Sequence, residues 1–346
     1  MVVLWAQRMK IRAAITIYLH QKASEAILGD ISTNAPPLPT ENPAMPIFPQ
    51  NPAPQSLTKR PAEDLLSADT RMGAVELLVS DLDTMVAYYS DAVTLDVLAH
   101  AGDTAVLGRD GRTVVRLRQV KELPPARRGQ AGLFHTAVVF DDEPALAAAL
   151  ASVATVAPRS FTGSADHLYS QAFYFDDPEG NGVELYTDRP RETWRREPTG
   201  LLTLASNPLD PNGFLQEHLA EQSGRPPAPP ATLGHVHLQV GDIPLGRQFY
   251  VDVLGFEVMS DIGSALFIAA GGYHNHIALN TWQSAGAGPR AASLGLGQVN
   301  IDLPDADDVA ALASRLADHR IPTRHDGAVL RFEDPWNTLI QVGVAA

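Results

Sequence analysis

Histidine carries most of the chemical information in this chain. Two pairs stand two residues apart, His235 with His237 and His274 with His276, each in an otherwise apolar stretch. Residues two apart on a strand share a face, so each pair can turn both rings into one cavity. An imidazole with an ordinary pKa of about 6.5 exchanges protons near neutrality, and its neutral form binds divalent metals. Cysteine is absent, which removes disulfides, thiolate nucleophiles, iron–sulfur clusters and thiolate-bound zinc. Any metal must therefore be held by His, Asp, Glu or Gln.

The elements that position these residues come from an internal repeat. Gly73-Ala-Val-Glu-Leu-Leu-Val-Ser-Asp81 aligns with Gly234-His-Val-His-Leu-Gln-Val-Gly-Asp242, and Tyr88-Tyr-Ser-Asp91 aligns with Phe249-Tyr-Val-Asp252. Each copy opens on an alternating apolar segment, a strand signal, and continues at helical spacing. Short strands follow at 105–107 and 113–117 in one copy, and at 265–269 and 276–280 in the other. Two weaker copies begin at Leu133-Phe-His-Thr-Ala-Val-Val-Phe140 and Leu296-Gly-Gln-Val-Asn-Ile-Asp-Leu303. They continue into helices at 143–153 and 305–319. They close through the related turns Asp177-Pro-Glu-Gly-Asn-Gly182 and Asp334-Pro-Trp-Asn-Thr338, rich in turn formers. The fold class is thus α+β, four βαβββ modules pairing into curved mixed sheets. Modules 1 and 2 occupy 68–190 and modules 3 and 4 occupy 232–346, with a linker at 191–231 that has a short helix near 212–221.

Composition narrows the partners. The 346 residues carry 26 Lys plus Arg against 40 Asp plus Glu, a net charge of −14. That balance disfavours nucleic acid, anionic membranes and polyphosphates and leaves small neutral or weakly acidic molecules. Residues 1–67 differ: eight prolines fall between Ile31 and Arg60, a density that favours an extended, disordered tail. No apolar run is long enough to span a membrane, and a cytoplasmic location is expected. Homo-oligomerisation is left open. Tyr88, Tyr89 and Tyr250 read as helix-to-sheet core, and Trp194 and Trp282 as packing residues. His20, His100, His218, His319 and His325 read as surface residues.

Several segments resemble the vicinal-oxygen-chelate superfamily, and within it the catechol 2,3-dioxygenase-like, extradiol ring-cleaving proteins. They are Gly163-Ser-Ala-Asp-His-Leu-Tyr-Ser170, Tyr174-Phe-Asp-Asp-Pro-Glu-Gly-Asn-Gly-Val-Glu-Leu-Tyr186, Asp188-Arg-Pro190 with Thr193-Trp194, Gly234-His-Val-His237, and Gly271-Gly-Tyr-His-Asn-His-Ile-Ala-Leu-Asn-Thr-Trp282. In that superfamily the first and last strands of two facing modules supply the metal ligands. Modules 2 and 3 offer His135, Glu184 and His235 at these positions. Modules 1 and 4 offer Ala74, Arg116 or Leu117, Gln298 and Gln341.

The resemblance therefore implies a site between modules 2 and 3, whereas the better-known extradiol arrangement uses the third and fourth modules. Two histidines and one carboxylate form the facial triad of non-haem Fe(II) oxygenases. The expected cofactor is Fe(II), with Mn(II) as the other candidate, and the expected substrates are a small aromatic diol and O2. Tyr174 resembles the family's substrate-bonding tyrosine and His167 its pocket histidine. His276 or His274 corresponds to the acid–base histidine. Two other functions fit the scaffold: a glyoxalase-type isomerase, which would need a second carboxylate where His276 stands, and a metal-free protein that binds aromatic compounds or drugs.

Overall fold

The computed structural model describes residues 60–219 and 230–345; the proline-rich stretch before residue 60 lies outside them. Each of the four modules opens on a nine-residue strand: β1 (Arg71–Val79), β5 (Gly132–Phe140), β9 (Ala231–Gln239) and β13 (Gly295–Leu303). A helix follows each one: Leu82–Ala87, Glu143–Val156, Ile243–Arg247 and Ala306–Asp318. All four start for one reason. Asp81, Asp142, Asp242 and Asp305 occupy the same N-cap and accept the N–H of Thr84, Ala145, Leu245 and Asp308. The first and third helices run on into a wider turn, Tyr88–Ala92 and Gln248–Val253.

Three further strands complete each module. Module 1 adds β2 (Asp96–Ala101), β3 (Thr104–Arg109) and β4 (Arg112–Gln119). Module 2 adds β6 (Phe161–Asp166), β7 (Ser170–Asp176) and β8 (Gly182–Asp188). Module 3 adds β10 (Glu257–Asp261), β11 (Ala265–Ala269) and β12 (Ile277–Asn280). Module 4 adds β14 (Arg324–His325), β15 (Val329–Glu333) and β16 (Leu339–Val344).

The modules pair crosswise. One eight-stranded sheet runs β14-β15-β16-β13-β1-β4-β3-β2 and the other β10-β11-β12-β9-β5-β8-β7-β6. Module 1 therefore joins module 4, and module 2 joins module 3 as the ligand pattern implied, through antiparallel pairing of their opening strands. Each half of the chain gives one module to each sheet. Inward residues such as Val75, Leu77, Val138, Val236, Leu238 and Val299 share one buried apolar cluster with the helices.

Two buried hydrogen bonds tie the sheets together, one within each half of the chain. Tyr89 donates to Asp177 Oδ2 at 3.2 Å, and Tyr250 donates to Asp334 Oδ2 at 2.9 Å. Both acids stand in the Asp-Pro turns that launch β8 and β16. Burial pushes the Asp177 carboxyl up to about 6, against the pull of the Asn181 side chain and the backbone N–H groups it accepts.

The linker is an ordered strap for much of its length. Leu202 N–H donates to Met259 O on β10 at 2.7 Å, and Asn207 pairs in both directions with Asp166 on β6. These are the two edge strands of the second sheet. Five extended residues reach at most about 17 Å, whereas the edges of a flat eight-stranded sheet lie roughly 34 Å apart. The sheet must therefore curl into a cup, and the strap closes it. The linker's helix covers Pro211–His218, and His218, expected at the surface, is half-buried with its ring 4.5 Å from that of Phe214.

Order also begins before residue 67, where the tail was expected to end. Leu66 is buried, its N–H donates to Gly255 O, and Arg60 caps the carbonyl of Val251 at 2.6 Å. A cation on the last carbonyls of a helix offsets their unpaired acceptors.

Removing one hydroxyl tests the ties between sheets. Tyr89→Phe and Tyr250→Phe should each lower the unfolding free energy at pH 7 by about 1–2 kcal/mol. The double variant should lose the sum, because the two bonds share no partner. Urea titrations followed by circular dichroism read both.

Candidate metal centre

Strand register brings the ligand candidates together. Glu184 on β8 lies opposite Ala137 on β5, and Ala137 lies opposite His235 on β9. His135 is two residues from Ala137 and so shares its face. The small Ala137 side chain lies in the middle of the row.

His135 Nε2 is 2.8 Å and His235 Nε2 is 3.2 Å from the same carboxylate oxygen, Glu184 Oε2. Among the described residues these three form a buried set whose ligand atoms all lie within 4.8 Å of one another. Two donors at neighbouring positions around one ion, each about 2.1 Å from it, stand about 3 Å apart. The observed spacings match that. His135 Nε2 is buried and faces the Glu184 oxygen 2.8 Å away, a nitrogen and a carboxylate that one bound cation would share.

The charges agree with this reading. Burial lowers His235 to about 4 despite the pull of Glu184, so its imidazole is neutral at pH 7. Burial alone would raise the Glu184 carboxyl; the His235 and His135 imidazoles outweigh it and hold the group well below the usual carboxylate range. A carboxylate anion beside the neutral His235 nitrogen is a donor pair a divalent ion can use without first displacing a proton from the carboxyl.

The neighbouring residues take distinct places. His167 Nδ1 faces the Ala205 carbonyl of the strap at 2.6 Å, and its Nε2 faces the Tyr174 hydroxyl at 2.7 Å. A carbonyl only accepts, so Nδ1 carries the proton and, in the neutral ring, Nε2 accepts from Tyr174. Tyr174 lies opposite Glu184, and burial raises its phenol well above the ordinary value, keeping it protonated.

The two remaining candidates differ. His274 has both nitrogens engaged, Nε2 by Asp188 Oδ1 at 2.8 Å and Nδ1 by the side chain of Asn275. His276 Nδ1 accepts the Ala270 N–H at 3.1 Å, which leaves the proton on Nε2, and burial lowers this ring to about 3. His237 is fixed by a short chain. Trp282 N–H donates to Asn280 Oδ1, so the amide nitrogen of Asn280 faces His237 Nε2 at 2.9 Å and donates to it. That nitrogen is occupied, so His237 is not a fourth ligand through it.

Sequence reasoning quoted Tyr186, Asp188 and Asn280 within the family-like segments but gave them no role, and it missed the Ala205 carbonyl. Period-two parity from Glu184 would have placed Tyr186 and Asp188 on its face. The carbonyl has no signature in residue types. The Ser-Ala-Asp-His segment is largely the end of β6. Tyr88, Tyr89 and Tyr250 are core. Trp194 packs near Tyr169 and His274, whereas Trp282 is 43% exposed and meets Phe134 edge-on. His100, His319 and His325 are exposed, and His20 lies outside the described residues.

The sequence profile of the Glyoxalase/Bleomycin resistance protein/Dioxygenase superfamily matches residues 71–185 and 232–342. The chain belongs to this superfamily. It is 33% identical over 274 residues to a catechol-2,3-dioxygenase of Bacillus subtilis (strain 168), covering 77% of this chain and 94% of that protein. A crystal structure from Bacillus subtilis subsp. subtilis str. 168, described provisionally as a dioxygenase, shares the fold. It has a TM-score of 0.56 at 13% identity, covering 81% of this chain and 86% of that one. Glyoxalase I of Zea mays overlays at a TM-score of 0.49 with 16% identity, over 80% and 92% of the two chains. No helix among the described residues is long and apolar enough to cross a membrane.

Two measurements test the site's packing and charge. Gly234 precedes His235, and a Cβ there would fall 1.8 Å from the Tyr186 hydroxyl. Gly234→Ala should therefore displace Tyr186 and destabilise the fold by about 1–3 kcal/mol in thermal or urea unfolding.

His276 gives a pH signature in the metal-free protein. Its folded pKa of about 3 lies below the ordinary 6.5, so unfolding takes up a proton as the pH falls below 6.5. The stability of His276→Gln relative to wild type should rise by about 1.4 kcal/mol per pH unit between pH 5.5 and 4, in urea titrations at each pH.

Proposed function

We propose that this chain is an extradiol ring-cleaving dioxygenase that opens catechol-type aromatic diols with O2. Fe(II), or alternatively Mn(II), would be held by His135, His235 and Glu184. One observation carries the reading: two imidazole nitrogens and a buried carboxylate converge from three adjoining strands, with their ligand atoms all within 4.8 Å of one another. The likeness to a catechol-2,3-dioxygenase supports it.

A redox-active divalent ion at this position would supply the route for electrons between diol and dioxygen. The protein's residues bind, orient and move protons around it. Tyr174, protonated and aligned with Glu184, donates its one hydroxyl proton to His167 Nε2, which turns the phenol oxygen toward the diol as an acceptor for a ring hydroxyl. His276 is neutral, with its proton on Nε2 and Nδ1 held by a backbone amide, so it would donate a hydrogen bond from Nε2 toward the developing oxygen charge rather than give that proton up. His274 has no free nitrogen and orients its neighbours. The strap and the rings of Phe134, Tyr169 and Trp194 restrict water.

The donor set argues against both other functions. A glyoxalase-type site would want a second carboxylate where His276 stands. A metal-free binder would leave Glu184 and His135 buried without a cation.

Anaerobically purified protein supplied with Fe(II) should bind about one ion per chain and turn catechols into yellow ring-opened products under O2. His135→Ala and Glu184→Ala should lower metal affinity by more than about 100-fold and abolish turnover. Gln298→Ala and Gln341→Ala should leave metal content unchanged. Elemental analysis with oxygen uptake checks each. Wild-type metal retention in Glu184→Ala, or no turnover of any diol by the iron-loaded wild type, would end the proposal.

A further inference from the structure

Past Glu184, β8 runs into Asp188-Arg189-Pro190, a motif to which the chemistry above gives no direct task. The two charged residues point in opposite directions along the cup. Asp188 reaches module 3, where Oδ1 accepts from His274 Nε2 at 2.8 Å and Oδ2 accepts the Tyr273 hydroxyl at 2.8 Å. Tyr273 Oη is in turn 2.7 Å from Tyr186 Oη, and Tyr169 stacks on the His274 ring at 4.7 Å. This holds the loop that leads into His276.

Arg189 reaches module 2. Its Nη1 and Nη2 donate to the two oxygens of Asp166 at 2.6 and 2.7 Å, a bidentate pair that fixes direction as well as distance. Asp166 Oδ1 also accepts the Leu168 N–H at 2.8 Å, and the Arg189 N–H donates to Tyr169 O at 2.8 Å. Between them lies His167. Leu168 has φ +72°, a left-handed conformation that a leucine keeps only where its surroundings impose it. The hydrogen bonds from Arg189 hold the Asp166 carboxyl below its ordinary range, consistent with a standing ion pair.

We infer that Asp188 and Arg189 are positioning residues that together form a clamp, anchoring the loop of His276 and the loop of His167 to the strand that carries Glu184. The geometry stands by itself; the catalytic consequence rests on the dioxygenase reading. Arg189 governs the side on which Tyr174 and His167 meet the diol, so its loss falls on substrate binding. Asp188 governs the side of the proton-carrying histidine, so its loss falls on turnover.

Hydrogen exchange of the full chain, read by mass spectrometry without metal, tests the geometry. Arg189→Lys, which cannot form the two-pronged bond, should speed exchange across 166–169 by about tenfold and leave 272–276 unchanged. Asp188→Asn should do the reverse. Should Asp188→Asn fold poorly, Tyr273→Phe removes one of the same bonds and should loosen 272–276 alone. Wild-type exchange in both loops, or equal loosening of both by either variant, overturns the clamp.

The iron-loaded protein then tests the role. Metal content should stay at the wild-type level. Arg189→Lys should raise KM for the diol by about tenfold with little change in kcat, and Asp188→Asn should lower kcat by about tenfold with little change in KM. Loosened loops with unchanged kinetics would show an anchor without a positioning role. An iron-loaded wild type that opens no diol would refute the dioxygenase reading and, with it, the catalytic consequence, while the exchange data would still decide the geometry.

Discussion

Glu184 is only 3% exposed, and an isolated carboxylate there would be strongly disfavoured unless charge and hydrogen bonds compensated it. The compensation comes from two histidines aimed at one of its oxygens. Burial keeps His235 neutral, and a neutral imidazole offers a lone pair that an imidazolium lacks. The enclosure that makes the carboxylate costly thus also prepares nitrogen donors beside it. A divalent cation would satisfy carboxylate and nitrogens together.

That enclosure depends on curvature more than on any side chain. A flat sheet would expose the row from Tyr174 through Glu184 and Ala137 to His235 on an open face. The strap fixes the cup by pairing with both edge strands, and it also supplies the carbonyl that sets the His167 tautomer. Asp188 and Arg189 extend the same logic within the cup, turning one strand into a common reference for loops from two modules. Backbone closure and side-chain clamping therefore act on the same few groups.

Much of this was legible in the residues. The alternating apolar openings and the two related Asp-Pro turns marked the modules, because strand periodicity and turn chemistry are local and need no tertiary context. His135, Glu184 and His235 stood out because the resemblance places ligands on the first and last strands of facing modules, and their types there suit a metal. The strap was not legible: its contacts are backbone to backbone between segments far apart in sequence, and Leu202 or Asn207 carries no type-specific signal. Distinguishing His274 from His276 was equally out of reach. Both have suitable chemistry and parity, and only the bonds to Asp188 and the Ala270 N–H separate them. Arg60 and Leu66 were read as tail because proline density decided the segment, while a single buried leucine and one cap anchor its end.

The sheet without a His–Glu set is explained by the same electrostatics. Where the second sheet has His135 and Glu184, the first has Gln298 and Gln341, and Ala74 replaces His235. Gln298 donates to Asn300, and Arg331 donates to Gln341 at 2.9 Å, so these polar groups satisfy one another and need no ion. Yet the first sheet is not dispensable to the site. Its module 1 contributes Tyr89 to Asp177, and the N–H groups of Ser80 and Asp81 to the Glu179 carboxylate at 2.8 Å. Asp177 and Glu179 lie in the turn from which β8 departs toward Glu184. If that turn were free, the register of β8 against β5 would lose its anchor, and a slip of one residue would move Glu184 to the opposite face. The half of the molecule without ligands thus fixes the position of the carboxylate on which the other half depends.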